Sequence, residues 1–238
     1  MAYNQRLENR KFDETRKIEA KVGVIKRADG SAYFKIGNTW AYAAVYGPRN
    51  LYPKFLQNPE KGILRCHYNM MPFSSTGDRV RPGGSRRSKE ISMVTKNALL
   101  PVLDLKEYPN AVVDVFIEFT QTEAGSRCAG ICAASMALAD AGLTMKDMVS
   151  SVSVGRVDDK LVVDLDYSEE SYEGGPVADV PVAFMPNSGK LTLLQMDGEV
   201  KKEQLKELLE LGKKACKDIY EVQKAALKKK YEAKGGSQ

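Results

Sequence analysis

The stretch AVVDVFIEFTQTEAGSRCAGICAASMALADAG, Ala111–Gly142, sets the fold class. Its opening, Ala111 to Gln121, is β-branched and aromatic with near-alternation, which predicts a strand. Thr122-Glu123-Ala124-Gly125 breaks the pattern, and a run of small and apolar residues from Ser126 predicts a helix that stops near Asp140-Ala141-Gly142. So many Ala, Gly and Ser residues let a helix lie close against a sheet. Arg127 is out of character at the mouth of such a helix. A helix start exposes unpaired N–H groups and the positive end of the dipole, so another positive charge there is locally unfavourable unless an anion joins it. Gly125 allows close backbone approach and Ser126 adds a hydroxyl, which makes Gly125, Ser126 and Arg127 a candidate phosphate site. An N-cap serine followed by a surface arginine paired to an acid is the plainer account of the same residues.

Upstream, Lys17 to Gly47 reads as a β-meander. IEAKVGVIK, SAYFKIG and TWAYAAVYG are β-rich and are joined by turns at Ala28-Asp29-Gly30 and Gly37-Asn38. Gly62 to Phe73 is a fourth strand with Arg65, His67 and Asn69 on one face and Cys66, Tyr68 and Met70 on the other. SSTGDRVRPGGS, Ser74 to Ser85, is a basic loop. Ser85 or Ser88 then caps a helix with Ile91, Val94, Ala98, Val102 and Leu103 at helical spacing. Arg86 and Arg87 fall in its first turn, a second helix start with the electrostatic oddity of Arg127.

Downstream, SSVSVGRV, KLVVDLDY, VADVPVAFMP and KLTLLQMDG carry strand signals, and a helix from about Lys202 to Lys230 presents Leu205, Leu208, Leu209, Ala215, Ile219, Val222 and Ala226 as one stripe. Strands followed by a helix in both halves predict an α+β protein, one domain over 1–238 with a first lobe over 17–149, a second over 150–230 and a disordered basic tail over 231–238. The acidic, glycine-rich SEESYEGGP between two strands reads as a loop that displays carboxylates.

The composition is ordinary for a globular chain of 238 residues that is 43% apolar. No apolar run approaches the roughly 18 residues a membrane span needs, and MAYNQRLENRKFDETRK lacks the apolar centre of a signal peptide. The expectation is a cytoplasmic protein without membrane contact. Cys66, Cys128, Cys132 and Cys216 have neither disulfide nor zinc spacing, and His67 is the sole histidine. Of the net charge of +5, the segment from Lys201 carries all, with eleven lysines against six acids. The informative concentration is earlier: Lys61, Arg65, Arg79, Arg81, Arg86, Arg87 and Lys89, opposed only by Asp78. Arginine is suited to bidentate phosphate contacts. No phosphate-loop lysine motif is present, which argues against nucleotide hydrolysis.

With these motifs assembled, the chain resembles the RNase PH family and, within it, the catalytic subunits of archaeal exosomes. The resemblance rests on GVIKRADGSAYFKIGNT, VYGPR, RCHYNMMPFS, SRRSKE, VVDVFIEFTQTEAGSRCAG, ASMALADAG, VVDLDY and ADVPVAFMP, in the family's order from about Val22 to Pro186. It implies the RNase PH-like fold of two β-rich lobes packed with helices. It also implies processive 3′-to-5′ phosphorolysis, in which inorganic phosphate attacks the last phosphodiester of single-stranded RNA and releases a nucleoside diphosphate, with the reverse reaction adding RNA tails. By resemblance Ser126, Arg127 and Gly125 bind phosphate and Arg87 completes a catalytic arginine pair. Arg65, Arg86 and Tyr68 contact RNA, with Arg79 and Arg81 on the same basic loop. Asp179 matches one of two catalytic acids. The other position reads Glu170 where the family usually has aspartate, with Asp179 nine residues later instead of six. The implied partners are a non-catalytic RNase PH-like homologue alternating in a hexameric ring and RNA-binding cap subunits. No cofactor is held tightly, phosphate is a co-substrate, and the acidic pair leaves a Mg2+ ion open. A homomeric RNase PH trimming tRNA ends and a non-catalytic ring subunit are the alternatives. Retention of Arg86, Arg87, Ser126 and Arg127 speaks against the second.

Overall fold

The computed structural model describes the chain apart from residues 1–2, 7–8, 76–79, 82 and 236–238. Strands β1 (Ile18–Val22), β2 (Gly30–Ile36), β3 (Thr39–Asn50), β4 (Ile63–Met70) and β5 (Ala111–Gln121) form a sheet in the order β1-β2-β3-β5-β4. Neighbours are antiparallel except β4 and β5, which run parallel. A parallel pair needs a crossover, and helix α1 (Arg86–Leu99) provides it. Helix α2 (Ser126–Asp140) leaves the end of β5. The starts of both helices therefore stand beside the carboxyl ends of two parallel strands, where open α/β sheets place ligands. Two bonds fasten that edge: the Thr122 N–H donates to Ser74 O at 2.7 Å and the Met71 N–H to Phe119 O at 3.0 Å.

The second sheet is antiparallel. It consists of β6 (Ser150–Val157), β7 (Lys160–Val163), β8 (Val177–Met185), β9 (Lys190–Leu194) and β10 (Asp197–Gly198), with β8 pairing β6, β9 and β10. Both sheets bury apolar side chains: Phe34, Val45, Val115, Ile117 and Phe119 of the first and Val152, Val154, Val180 and Val182 of the second are buried. Between the sheets lies α2, whose residues are buried from Cys128 to Leu138. Its small side chains are what let two sheets reach one helix. Where β2 begins, a Cβ on Gly30 would fall 2.2 Å from the Ala141 N–H nitrogen, so the close approach of strand and helix end requires glycine. One continuous apolar cluster runs from the first sheet through α2 to the second sheet and on to Leu208, Ala215 and Ile219 of helix α4 (Lys202–Gly235).

Several boundaries differ from the expectation: α1 ends at Leu99, so Val102 and Leu103 lie beyond it, β4 stops at Met70, and KLTLLQMDG divides into β9 and β10. KLVVDLDY is strand only to Val163, because Asp164 takes a left-handed conformation (φ 58°) that ends the pairing. The expected loop SEESYEGGP begins as a helical turn, α3 (Tyr167–Glu170), capped when the Asp166 carboxylate accepts from the Glu169 N–H. Finally, α4 continues through Gly235, past the expected tail boundary at 231. Its last turns, KKKYEAKG, are rich in good helix formers, and a polar composition ends a helix only where a breaker intervenes. Among the described residues no helix is long and apolar enough to cross a membrane.

Candidate active site

The phosphate-site candidates sit on a turn with one unusual backbone residue. Gly125, at φ 66°, is the N-cap of α2, so Ser126 is the first helical residue and not a cap. A left-handed N-cap of this kind costs an ordinary residue about 1–2 kcal/mol. The capping account of Ser126 is thereby replaced: its hydroxyl oxygen accepts from the Tyr68 hydroxyl at 2.8 Å instead of from a helix N–H. At α1, by contrast, Ser85 is the cap and forms a reciprocal box with Ser88, leaving Arg86 and Arg87 in the first turn.

A cleft of about 700 Å³ opens at the seam between the lobes. It brings Arg87 of α1 and Gly125, Ser126 and Arg127 of the α2 turn together with Glu170 of α3 and Asp179 of β8. These residues are scattered over more than ninety positions of the chain. The Arg127 guanidinium donates to the Gln195 side-chain oxygen, and Gln195 in turn donates to Glu90 at 3.3 Å, which aims Arg127 along one wall. Asp179 accepts from the Ser153 hydroxyl.

The two acids have unequal environments. Burial, and then the charge of Asp179, push the Glu170 carboxyl up to about 7 against the pull of Arg16 and Arg87. Asp179 is also raised by burial, while the Ser153 hydrogen bond, Arg127 and Arg87 hold it down and Asp197 adds to the rise. Glu170 thus sits where a carboxylic acid can keep its proton near neutrality and still give it up. A smaller pocket of about 350 Å³ shares Arg87, Glu123, Ser126 and Glu170 with the cleft and adds Tyr167, 56% exposed, and Val80.

Other expected contacts lie elsewhere. Tyr68 is buried, 4% exposed; it lines the smaller pocket, and its hydroxyl braces the phosphate turn through Ser126. Arg65 lies outside the cleft on β4, where its guanidinium makes a fork with Asp114 (2.6 and 2.9 Å), and Arg49 shares the same carboxylate at 2.8 Å. Arg86 and Arg81 are exposed and line neither pocket, and Arg79 lies outside the described residues. Sequence reasoning missed Glu90, Ser153, Gln195 and Asp197, which also line or support the cleft. Gln195 and Asp197 fall in QMDG, which reads only as strand, and nothing in their local pattern marks them. Among the described residues no group of three or more His, Cys, Asp or Glu is arranged to hold a metal ion.

Comparison with known proteins bears on the family and the fold. The exosome complex component Rrp41 of Methanopyrus kandleri is 50% identical over 209 residues, 88% of this chain and 86% of that protein. The protein of the same name from Thermococcus gammatolerans is 51% identical over 207 residues, covering 87% and 82%. Among solved structures, rice Rrp46 superposes with a TM-score of 0.80 at 24% identity, covering 93% of this chain and all of that one. A chain of the Archaeoglobus fulgidus exosome with RNA bound to the active site gives 0.76 at 24% identity, covering 92% of each. Residues 14–144 match the RNase PH description "3′ exoribonuclease family, domain 1" and residues 147–215 match its domain 2. The chain belongs to the RNase PH family of 3′ exoribonucleases.

Proposed function

We propose that the chain is the catalytic subunit of an RNA-degrading exosome and removes nucleotides from RNA 3′ ends by phosphorolysis. The observation that carries this reading is the convergence, in one cleft, of two arginines from two helix starts with two carboxyls of raised proton affinity. Phosphorolysis brings two anions together, the attacking phosphate and the scissile diester. The site must supply fixed positive charge and donors before the reaction begins, since rearranging them during the reaction would add to the barrier. The turn Gly125-Ser126-Arg127 offers backbone N–H groups, a hydroxyl and a guanidinium to the attacking phosphate, and Arg87 faces it from α1. The leaving 3′ oxygen needs a proton, and the Glu170–Asp179 pair is its source. Burial and the charge of Asp179 push the Glu170 carboxyl up to about 7, which makes Glu170 the first candidate for that proton. Two carboxylates with water completing the shell suit a Mg2+ ion, which would add positive charge at the leaving oxygen. The proton transfer described here does not depend on it.

The cleft also speaks to partners. Glu90, Glu123, Glu170, Asp179 and Asp197 line it against Arg87 and Arg127, so the chain alone presents RNA with few cations. A neighbouring RNase PH-like subunit, alternating in a ring, would supply the rest, and RNA-binding cap subunits would feed the strand. Upstream, Arg65 and Arg49 share the single carboxylate of Asp114, leaving one net positive charge to meet passing phosphates. The test mixes the purified protein, with and without its co-purified partner, with single-stranded RNA in the presence and absence of phosphate. The expected products are nucleoside diphosphates, formed only with phosphate and chiefly by the assembled complex. Nucleoside monophosphates formed without phosphate would replace phosphorolysis with hydrolysis.

A further inference from the structure

We propose that Arg16 is a positioning residue that locks the phosphate-binding turn of the first lobe to the acid-bearing segment of the second. This deepens the phosphorolytic reading and rests on it for its kinetic consequences. Arg16 precedes β1 and is 3% exposed, so it is no ligand for RNA or phosphate. Every branch of its guanidinium is occupied. Nε donates to one Asp164 carboxylate oxygen at 2.9 Å and Nη2 to the other at 2.7 Å, and the Arg16 backbone N–H adds a third bond to Asp164 at 2.7 Å. On the other side Nη2 donates to Ala124 O and Nη1 to Glu123, each at 3.3 Å. Glu123 and Ala124 lead directly into Gly125-Ser126-Arg127. The guanidinium lies under that turn, since a Cβ on Gly125 would stand 3.5 Å from Nη2.

Asp164 begins the path to the acid. Its N–H donates to Ser153 O at 2.7 Å, and Ser153 holds Asp179. Two residues on, Asp166 caps the short helix that ends in Glu170. The next glutamate back, Glu169, is tied to Arg6 by a fork of 2.7 and 2.8 Å. One planar cation therefore touches the segments that carry both halves of the chemistry. A lysine has no fork and could not hold both sides at once. Arg16 also neutralises Glu123, whose carboxylate would otherwise face the phosphate turn.

The test uses the full chain in its assembled complex with Asp164→Asn. Asparagine tolerates the left-handed backbone at 164 and keeps the side-chain shape while removing the charge that grips Arg16. Arg16→Lys is the second variant. Both are assayed well below their measured Tm. Backbone hydrogen exchange is read at 123–128 and at 164–171, with Val45 and Val115 of the core as internal reference. Asp164→Asn, a change in the second lobe, should speed exchange at 123–128 in the first by about tenfold or more while the reference amides hold. It should lower kcat on the order of 10- to 100-fold at saturating phosphate and RNA, as misplacement of reacting groups does, with RNA affinity unchanged. Wild-type exchange at 123–128 in both variants would overturn the proposal, because each lobe would then hold its own half. Should wild type itself release monophosphates, the phosphorolytic reading fails, yet the exchange measurement still decides whether Arg16 couples the lobes.

Discussion

If Glu170 delivers the proton to the leaving oxygen, the rate must fall as pH rises through its titration. The active form is the protonated one, and the carboxyl is pushed up to about 7 by burial and by Asp179. A group half-protonated near 7 is about 90% protonated one unit below and about 10% one unit above, so turnover should drop about tenfold between those points and about tenfold per unit beyond. The second ionisation of inorganic phosphate works in the opposite direction, because more of the nucleophilic dianion is present at higher pH, so it cannot produce this loss. The assay is the single-turnover release of nucleoside diphosphate from a short RNA by the assembled complex, at saturating phosphate, across this range. Glu170→Gln should cost on the order of 10²–10⁴ in rate and flatten the alkaline limb. Asp179→Asn removes the negative neighbour and should shift the limb to lower pH. Stability supplies an independent check. Folding raises Glu170 from its ordinary 4.5, so the folded form binds the proton more tightly than the unfolded chain. The carboxyl imposes no penalty below the unfolded value, and the penalty grows as pH rises toward about 7. Glu170→Gln should therefore melt with wild type in acid and above it in mild alkali. An unchanged alkaline limb with near-wild-type turnover in Glu170→Gln would refute the assignment.

Arg127→Ala and Arg87→Ala should each abolish turnover while leaving Tm and assembly intact, since both side chains face the cleft; near-normal turnover of Arg127→Ala at saturating phosphate would make the turn a structural feature only. Arg65→Ala should weaken RNA binding and flatten its dependence on log salt by about one unit of slope, with little effect on the single-turnover rate; the readout is affinity at several salt concentrations. Gly125→Ala has room for its methyl group but not for its backbone angle, so it should lose about 1–2 kcal/mol of stability, seen as a Tm lower by roughly 2–8 °C, and turnover should fall with it.

Much of this molecule was legible before its coordinates. The strand Ala111–Gln121 and the helix after it follow from alternation giving way to small residues at a glycine, and they occur where the pattern places them. Arg87, Ser126 and Arg127 were legible because a positive charge at a helix start conflicts with the local dipole, and such a conflict points to an absent anion. The burial of Tyr68 was not legible, because alternation tells which face a side chain is on but not what covers that face; here α1 packs on β4 and the Tyr68 hydroxyl reaches Ser126. The Arg65–Asp114–Arg49 cluster was invisible because register, not spacing, puts Arg65 of β4 opposite Asp114 of β5. Gln195 and Ser153 were missed for the same reason. Their roles come from what lies beside them across the sheet and the seam.

The continuous core through α2 has a mechanical consequence. Two lobes joined by a linker can swing, and a cleft between them can close over a substrate like a jaw. Here the helix that presents the phosphate turn is itself the wall against which both sheets are packed. Prising the lobes apart would mean wetting Ile131, Met136 and Leu138 along with Val152 and Val182. Each such side chain is worth about 1.5–3 kcal/mol to keep dry, so even a partial opening would consume a large share of a domain's stability. The cleft is in effect a notch cut into a solid. A polymer that enters it end-on can be shortened and advanced with no swing of the lobes between cycles.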